Sequence, residues 1–511
     1  MELSIWKQRT LNFAILFPTF LVVFDYAVVG ICLPYILASF SLKADVGSYI
    51  VTAFAVGNTI MLPAAGCIAQ KFGPLRGMKG SIIGFMLFSA LCPFAQNLPL
   101  LLLFRFLQGI FSGPLIPLSQ GILLKVNPEN RKVQMMALFS TFMSIGPSFG
   151  PLIGGFVSYD LYWGWAFWMN IPLAGICLYV LQKAFKSIKE IPQKSNFDWV
   201  GFILVFLWQS FLLIFLDRGE QYGWLTSWGL TLVALGFVLP FIFFLVWQLY
   251  GKEPFLDLSF FKIPSFTVAT ILFAFFYAIY FGAVLTTPLW LQQQMHYPPP
   301  WAGLGLSSMG IFPFLSGFFM AKLIKRVGAM PLLFLALILL TCTCFVSAYF
   351  TTYADFFHIS LSRFFYGVGF GLFITPIFSL FAQDIPLEQI PHAAGLFSFL
   401  RSTFGNIGGS FFLSLWIRRS TFHHVRLSER TTALDAQTLE WLQKIELLIP
   451  ETRDLVAKKW AVLNEVVSQQ AAMMGLNDLY FFMGSAFIGM LLLLTGLYFY
   501  SSKRKQKESI I

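Results

Sequence analysis

Apolar and polar positions alternate along this chain in long blocks. Apolar runs of about 18 or more residues read as transmembrane helices. Fourteen spans are expected, at 11–39, 47–69, 77–96, 99–123, 133–158, 164–183, 198–217, 226–250, 266–292, 302–324, 330–350, 355–383, 390–417 and 477–501. The first run is too long, and too poor in a small-residue cleavage site, to be a removable signal peptide. Residues 418–476 break the pattern, being long and polar. Within them Leu439, Leu442, Ile445 and Ile449 recur at helical spacing, as do Leu455, Val456, Trp460, Leu463 and Val467. Pro450 separates the two sets, so a hairpin of two amphipathic helices is expected. It would serve either as a solvated cap or as a docking surface for a partner.

Composition agrees with an all-α integral membrane protein. Of 511 residues, 57% are hydrophobic and 11% charged. A soluble protein could not hide that much apolar surface. The 61 Phe residues suit lipid-facing and cavity-lining surfaces. The net charge of +11 does not point to nucleic acid, because the cations sit in short loops between apolar runs. All six cysteines fall within apolar runs, where each reads as a small packed hydrophobe rather than part of a disulfide framework or zinc site. His423 and His424 lack a third ligand, and no metal centre is expected.

Lys and Arg set the direction of the spans, since they concentrate in cytoplasmic loops. Alternate segments carry two to four cations each, Lys71, Arg76 and Lys79 among them. The short intervening loops hold only Lys43 and Arg218. Both termini are therefore expected in the cytoplasm. One loop, 384–389, departs from the trend with Asp384 and Glu388 and no cation.

The chain also repeats itself. "RFLQGIFSGPLIPLSQ" begins at Arg105 and "RFFYGVGFGLFITPIFS" at Arg363, 258 residues later. At the same offset "ALFSTFMS" from Ala137 meets "GLFSFLRS" from Gly395, and Gly150 meets Gly408. Span 4 thus corresponds to span 12 and span 5 to span 13. Two six-helix repeats with spans 7 and 8 between them explain the shift. Internal repeats of this kind are a transporter architecture, with the site at the repeat interface near the midplane. The expected organisation is an N-terminal bundle (1–197), two linker spans (198–250), five helices of a C-terminal bundle (251–417), the external hairpin (418–476), and the last span with a basic tail (477–511).

These motifs carry a family resemblance over nearly the whole chain. The span-4 Arg stretch, "GPSFGPLIGG" (146–155), "WGWAFWMNIPLAG" (163–175), "FDWVG", "FLDRGEQYGW", "YFGAVLTTPLWLQQ", "PWAGLG" and "RSTFHHVRLSE" occur in order. Together they resemble fourteen-span drug:proton antiporters of the EmrB/QacA type, within the major facilitator superfamily (MFS), and most closely its EmrB branch. The resemblance implies an MFS fold, no cofactor beyond the proton gradient, and a place in a bacterial inner membrane. It also implies a periplasmic adaptor of the EmrA type (a membrane fusion protein) and an outer-membrane channel of the TolC type. Gly66, Gly73, Arg76, Gly109, Gly146, Pro147, Gly150, Pro151, Gly154 and Gly155 fall in motifs that the resemblance links to conformational switching. For the span-5 set, plain close packing makes the same contacts. Departures stand at Tyr26, where the family has Thr, at Gly30, where Asn is usual, and at Gln70, where the wider superfamily has an acid.

Asp25 is the one acid placed deep in a span. Fourteen residues separate it from the span's start, about 21 Å at 1.5 Å per residue, near the middle of a ~30 Å core. A charge there costs several kcal/mol and is a functional candidate with a partner. An acid that gains and loses a proton as its access alternates is the minimum device for proton coupling; a permanently ionised structural partner of an Arg is the other role. Arg105 lies at similar depth and stays ionised, so it modulates the acid rather than carrying the proton. Arg363 and Arg401 are buried cations without a deep acid in their half. They would either meet polar or anionic groups of a substrate or hold backbone carbonyls. Tyr26, Asn58, Gln108, Gln120, Tyr277, Tyr280, Gln292 and Tyr366 complete the candidate substrate cavity, since aromatic walls with few polar anchors suit amphipathic ligands.

An exporter of amphipathic drugs, or of a natural product such as a siderophore, is expected from these features. Uptake by the same fold is the harder rival. A non-transporting receptor is disfavoured by the repeat and the buried charges. No enzyme is expected, because "GPLRGMKGS" has the wrong spacing for a phosphate loop and no nucleophile–His–acid set occurs.

Overall fold

A computed structural model describes residues 5–42, 47–185, 197–250, 255–432, 435–447 and 455–508. Lys43, Ile449 and Pro450 lie outside them. The described residues form helices and no strand. In the first half these are α1 (Ile5–Ser39), α2 (Ser48–Met61), α3 (Ala64–Phe72), α4 (Pro74–Leu91), α5 (Leu98–Ser112), α6 (Leu115–Val126), α7 (Lys132–Asp160), α8 (Trp165–Trp168) and α9 (Asn170–Ala184). The extra spans are α10 (Trp199–Arg218) and α11 (Trp228–Tyr250). The second half holds α12 (Pro264–Gln293), α13 (Pro299–Ser316), α14 (Met320–Val327), α15 (Ala329–Ser347), α16 (Phe356–Phe381), α17 (Ile390–Arg430), α18 (Ala436–Glu446) and α19 (Leu455–Glu508).

Among the described residues, eleven helical segments are long and apolar enough to cross a membrane, and two bent pairs bring the number to thirteen. The pairs are α2 with α3, bent by 55°, and α13 with α14, bent by 64°. Pro63 starts α3 and has no N–H to continue α2; Pro313 and Gly317 precede the second bend. Both bent pairs end on a glycine of positive φ, Gly73 at 90° and Gly328 at 92°, where a side chain would be strained. The remaining expected span, 390–417, is the first part of α17. Arg401, Asn406 and several glycines dilute its apolarity, and the total of fourteen rests on including it.

The 258-residue repeat is a repeat of packing. Gly109 brings α5 so close to α2 that an added Cβ would lie 2.3 Å from the Phe54 carbonyl oxygen. Its mate Gly367 brings α16 equally close to α13, 2.0 Å from the Met309 oxygen. Gly150 faces Ala27 on α1, and its mate Gly408 faces Ala278 on α12. That last pair aligns "FDYA" (24–27) with "FFYA" (275–278), so Phe276 occupies the place of Asp25 in the second half.

The halves meet along two seams. On one, α7 lies against α13; on the other, α17 reaches α3 and α6. The extra helix α10 packs on both α2 and α17, where Gln209 Nε2 donates to Thr403 Oγ1 at 2.6 Å. Asp198 caps α10 and also accepts from Trp247 Nε1 and the Phe255 amide, tying α10 to α11 and to the start of the second half.

The expected hairpin takes a different form. α17 runs 41 residues to Arg430, and α19 is one helix of 54 residues that carries the second amphipathic set into the last span. Only α18 stands apart. Leu439, Leu442 and Ile445 of the first amphipathic set lie on α18, separated from α17 by the break after Arg430, whereas the second set runs into the last span without a breaker, so α19 keeps going. Beyond the expected end of span 13, Arg419 Nε donates to Asp478 Oδ2 at 2.6 Å and His423 Nε2 lies 2.7 Å from the same oxygen. His424 turns instead to Asn464. Cys342 is exposed on α15, unlike the packed position expected of it.

Candidate functional site

Asp25 lies on α1, fully buried, at the junction of α1, α4, α5 and α9. Arg105 Nη1 donates to its Oδ2 at 2.8 Å. Asn170 Nδ2 and Gln108 Nε2 donate to its Oδ1 at 2.7 and 3.1 Å. The carboxylate thus accepts from three side chains on two helices. Gln108 links the pair further: its Oε1 accepts from Arg105 at 2.7 Å and its Nε2 donates to Ser89 Oγ at 2.8 Å. Arg105 Nε reaches the Ile50 carbonyl at 3.3 Å, and its Cζ sits 4.4 and 5.4 Å from the ring centres of Phe54 and Phe167. Among the described residues, Arg105 Nη2 and Asn170 Oδ1 are buried without a partner.

The local sequence accounts for this arrangement. Arg105 and Gln108 are three apart, hence on one face of α5. Asn170 opens α9 directly after the short α8, so the Trp-rich "WGWAFWMN" stretch places an amide at span depth. Gln108 belongs to this acid cluster rather than to the substrate cavity expected of it. Asn170 was visible only as one position of a motif, and its amide gave no separate signal.

The second half keeps the cation and loses the acid. Arg363 Nη1 donates to Tyr480 Oη at 3.0 Å, and Nη2 donates to Ser347 and Ser362 Oγ at 2.8 and 3.3 Å. Ser347 is the repeat mate of Ser89 and Tyr366 that of Gln108, while Phe276 stands for Asp25. Hydroxyls therefore solvate Arg363 where a carboxylate neutralises Arg105.

The other candidates separate. Tyr280 stacks between Tyr366 and Phe370, at 6.4 and 4.6 Å between ring centres. Tyr277 lies 5.6 Å from Tyr280 and 5.7 Å from Phe281, and Phe281 lies 5.5 Å from Tyr26. Tyr26 and Tyr277, the mates in "FDYA" and "FFYA", thus flank one ring between the halves. Arg401 sits over Tyr277 at 4.7 Å. Three candidates fall away from this group. Asn58 donates to Ser112 Oγ at 2.7 Å and fastens α2 to α5. Gln120 donates to Met136 Sδ at 3.5 Å. Gln292 lies at the far end of α12, about four turns from Tyr277. Gly30 borders open space, with nothing within 4 Å of an added Cβ.

The α7 glycines divide by face. Gly146, Gly150 and Gly154 press on α1, all within the first half. Gly155 presses on Pro299 and Pro300 across the seam, where Gly303 meets the Pro151 carbonyl oxygen at 2.4 Å from an added Cβ. Pro147 and Pro151 lie inside α7 without breaking it. Gly66 lies on α3 against the His392 ring of α17, so it also belongs to a seam. Arg76 stands in the first turn of α4, just after Gly73.

Residues 15–413 match the sequence profile of the Major Facilitator Superfamily. The chain is 30% identical to the fatty acid resistance protein FarB of Neisseria gonorrhoeae, over 93% of this chain and 92% of that one. It is 27% identical to the multidrug export protein EmrB of Escherichia coli K12, over 94% and 93% of the two chains. It is 30% identical to the probable multidrug resistance protein EmrY of the same organism, over 92% and 91%. Among solved structures, the human organic anion transporter MFSD10 (TETRAN) superposes with a TM-score of 0.61 at 14% identity, over 94% of this chain and 99% of that one. The proton:xylose symporter XylE superposes at 0.58 with 12% identity, over 96% of each. At these identities the likeness concerns the fold.

Proposed function

The chain belongs to the major facilitator superfamily, and from that premise we propose that it is a proton-coupled exporter of small amphipathic compounds. The observation that carries this reading is the buried carboxylate of Asp25, held by Arg105, Gln108 and Asn170. Relatives named for multidrug export and fatty acid resistance support the export direction and the amphipathic cargo.

As an anion, Asp25 binds α1 to α5 and α9. A proton on Oδ2 removes the charge that Arg105 neutralises. Arg105 then keeps Gln108 Oε1 and the Ile50 carbonyl but loses its counter-ion. That weakens the junction of the three helices and shifts the balance between the two seams. Entry of the proton from one face and its release to the other, alternating with the substrate, gives exchange. The transport unit comprises the bundles 1–197 and 251–417 with the last span, and the linker spans 198–250 brace them. The protein sits in a bacterial inner membrane with both termini in the cytoplasm. The outer parts of α17 and α19, with α18, face the periplasm and meet an EmrA-type adaptor that leads to a TolC-type channel.

Proton movement itself is the test. Proteoliposomes carrying a trapped pH-sensitive dye and an imposed ΔpH should lose part of that gradient when a transported compound is added. A compound that is moved without any proton flux would refute the coupling.

A further inference from the structure

Arg401 is a charge that the coupling site does not use. It lies eleven residues into α17 and is 6% exposed. Among the described residues no hydrogen bond or ion pair reaches its guanidinium, in contrast to Arg105 with its carboxylate and Arg363 with its hydroxyls. Its neighbours are rings, Tyr277 at 4.7 Å and Phe273 at 5.8 Å from Cζ. Leaving a buried cation without an anion is costly, and such residues in a membrane domain mark ligand paths.

The position is central. The next residue, Ser402, bonds Thr59 of α2 across the halves at 2.8 Å. Tyr277, Phe281 and Tyr26 form a ring series from Arg401 to the residue beside Asp25. All three are only partly buried, and the contact of Phe281 with Tyr26 joins the two halves. Met143 stands in the first half where the repeat would place a mate of Arg401, so this cation has no counterpart there.

We propose that Arg401 binds the anionic head group of an amphipathic substrate, whose apolar body lies along Tyr277, Phe281 and Tyr26. The inference rests on the transporter reading and names its substrate class. The planar guanidinium fork suits a carboxylate or a sulfonate, and Tyr277 holds the fork from its face. A cationic amphipath of the same shape meets Arg401 as a like charge. Asp25 does not offer it a partner, because its oxygens are already taken.

Binding to the purified full chain in lipid nanodiscs tests this, measured by equilibrium dialysis against empty nanodiscs. Three probes of one shape are compared: naphthoate, naphthamide and naphthylmethylammonium. The wild type should bind naphthoate roughly tenfold or more tighter than naphthamide, and the ammonium weakest. Arg401→Gln should bind naphthoate and naphthamide alike, while Arg401→Lys keeps part of the preference. Equal binding of naphthoate and naphthamide by the wild type would overturn the proposal, as would a preference that survives in Arg401→Gln. If Arg401→Gln does not fold, the wild-type comparison and Arg401→Lys decide. A binding preference without ΔpH-driven movement of any probe would sink the transporter reading and leave the anion site standing.

Discussion

At the scale of the residue, the site is a buried ion pair whose members depend on each other. Removing one partner of such a pair leaves the other uncompensated, at about 3–5 kcal/mol. Asp25→Asn and Arg105→Gln should each lower the thermal midpoint in detergent. The double variant should unfold at a higher temperature than either single one, because no charge is then stranded. Additive losses would mean that the pair does not interact as the 2.8 Å contact indicates. Asn170→Ala removes one donor to Oδ1 and should cost about 1–3 kcal/mol, with Asn170→Ser milder. Asp25 and Arg105 were legible in the sequence because a charge in an apolar run stands out. The amides were not, since Gln and Asn occur in spans for packing as well as for chemistry. Phe276 as the mate of Asp25 was present in "FDYA" and "FFYA". Its offset of 251 residues differs from the 258 of span 4, because loop lengths differ between the halves, and this hid it.

At the scale of the element, spans were legible from hydropathy, but their bends were not, because the bends fall at Pro63 and after Pro313 while Pro147 and Pro151 lie inside the unbroken α7. Nor were helix ends beyond the membrane, because α17 and α19 carry helix-forming sequence past the polar boundary. The α7 glycines serve two interfaces, which a one-dimensional motif cannot distinguish. Variants separate them. Gly150→Ala meets Ala27 within the first half and should lower thermal stability. Gly303→Ala meets the Pro151 carbonyl across the seam and costs about 1–3 kcal/mol of overpacking there. It should therefore reduce transport more than Gly150→Ala does at equal loss of stability. Transport measured beside the unfolding midpoint for both variants checks this; the opposite order would place the moving seam elsewhere.

At the scale of the whole molecule, pseudo-symmetry is kept in packing and broken in charge. The first half holds a neutralised pair, and the second holds Arg363 among hydroxyls and Arg401 among rings. In the proposed mechanism this division gives the proton and the substrate separate residues, joined by the rings between Tyr26 and Tyr277. The extension formed by the end of α17, α18 and the start of α19 is a distinct part. Deleting 425–470 keeps Arg419, His423 and Asp478, which clasp α17 to α19. Such a variant should still move substrate in proteoliposomes yet fail to export across both membranes of a cell. Unchanged export from cells would remove the docking role. The central claim is that Asp25 couples the proton to the substrate. Uphill transport driven by an imposed ΔpH, measured in proteoliposomes for wild type and Asp25→Asn at matched reconstitution, tests it most directly. Accumulation by the wild type, with only downhill equilibration by Asp25→Asn, is the predicted result. Equal uphill accumulation by both would contradict it.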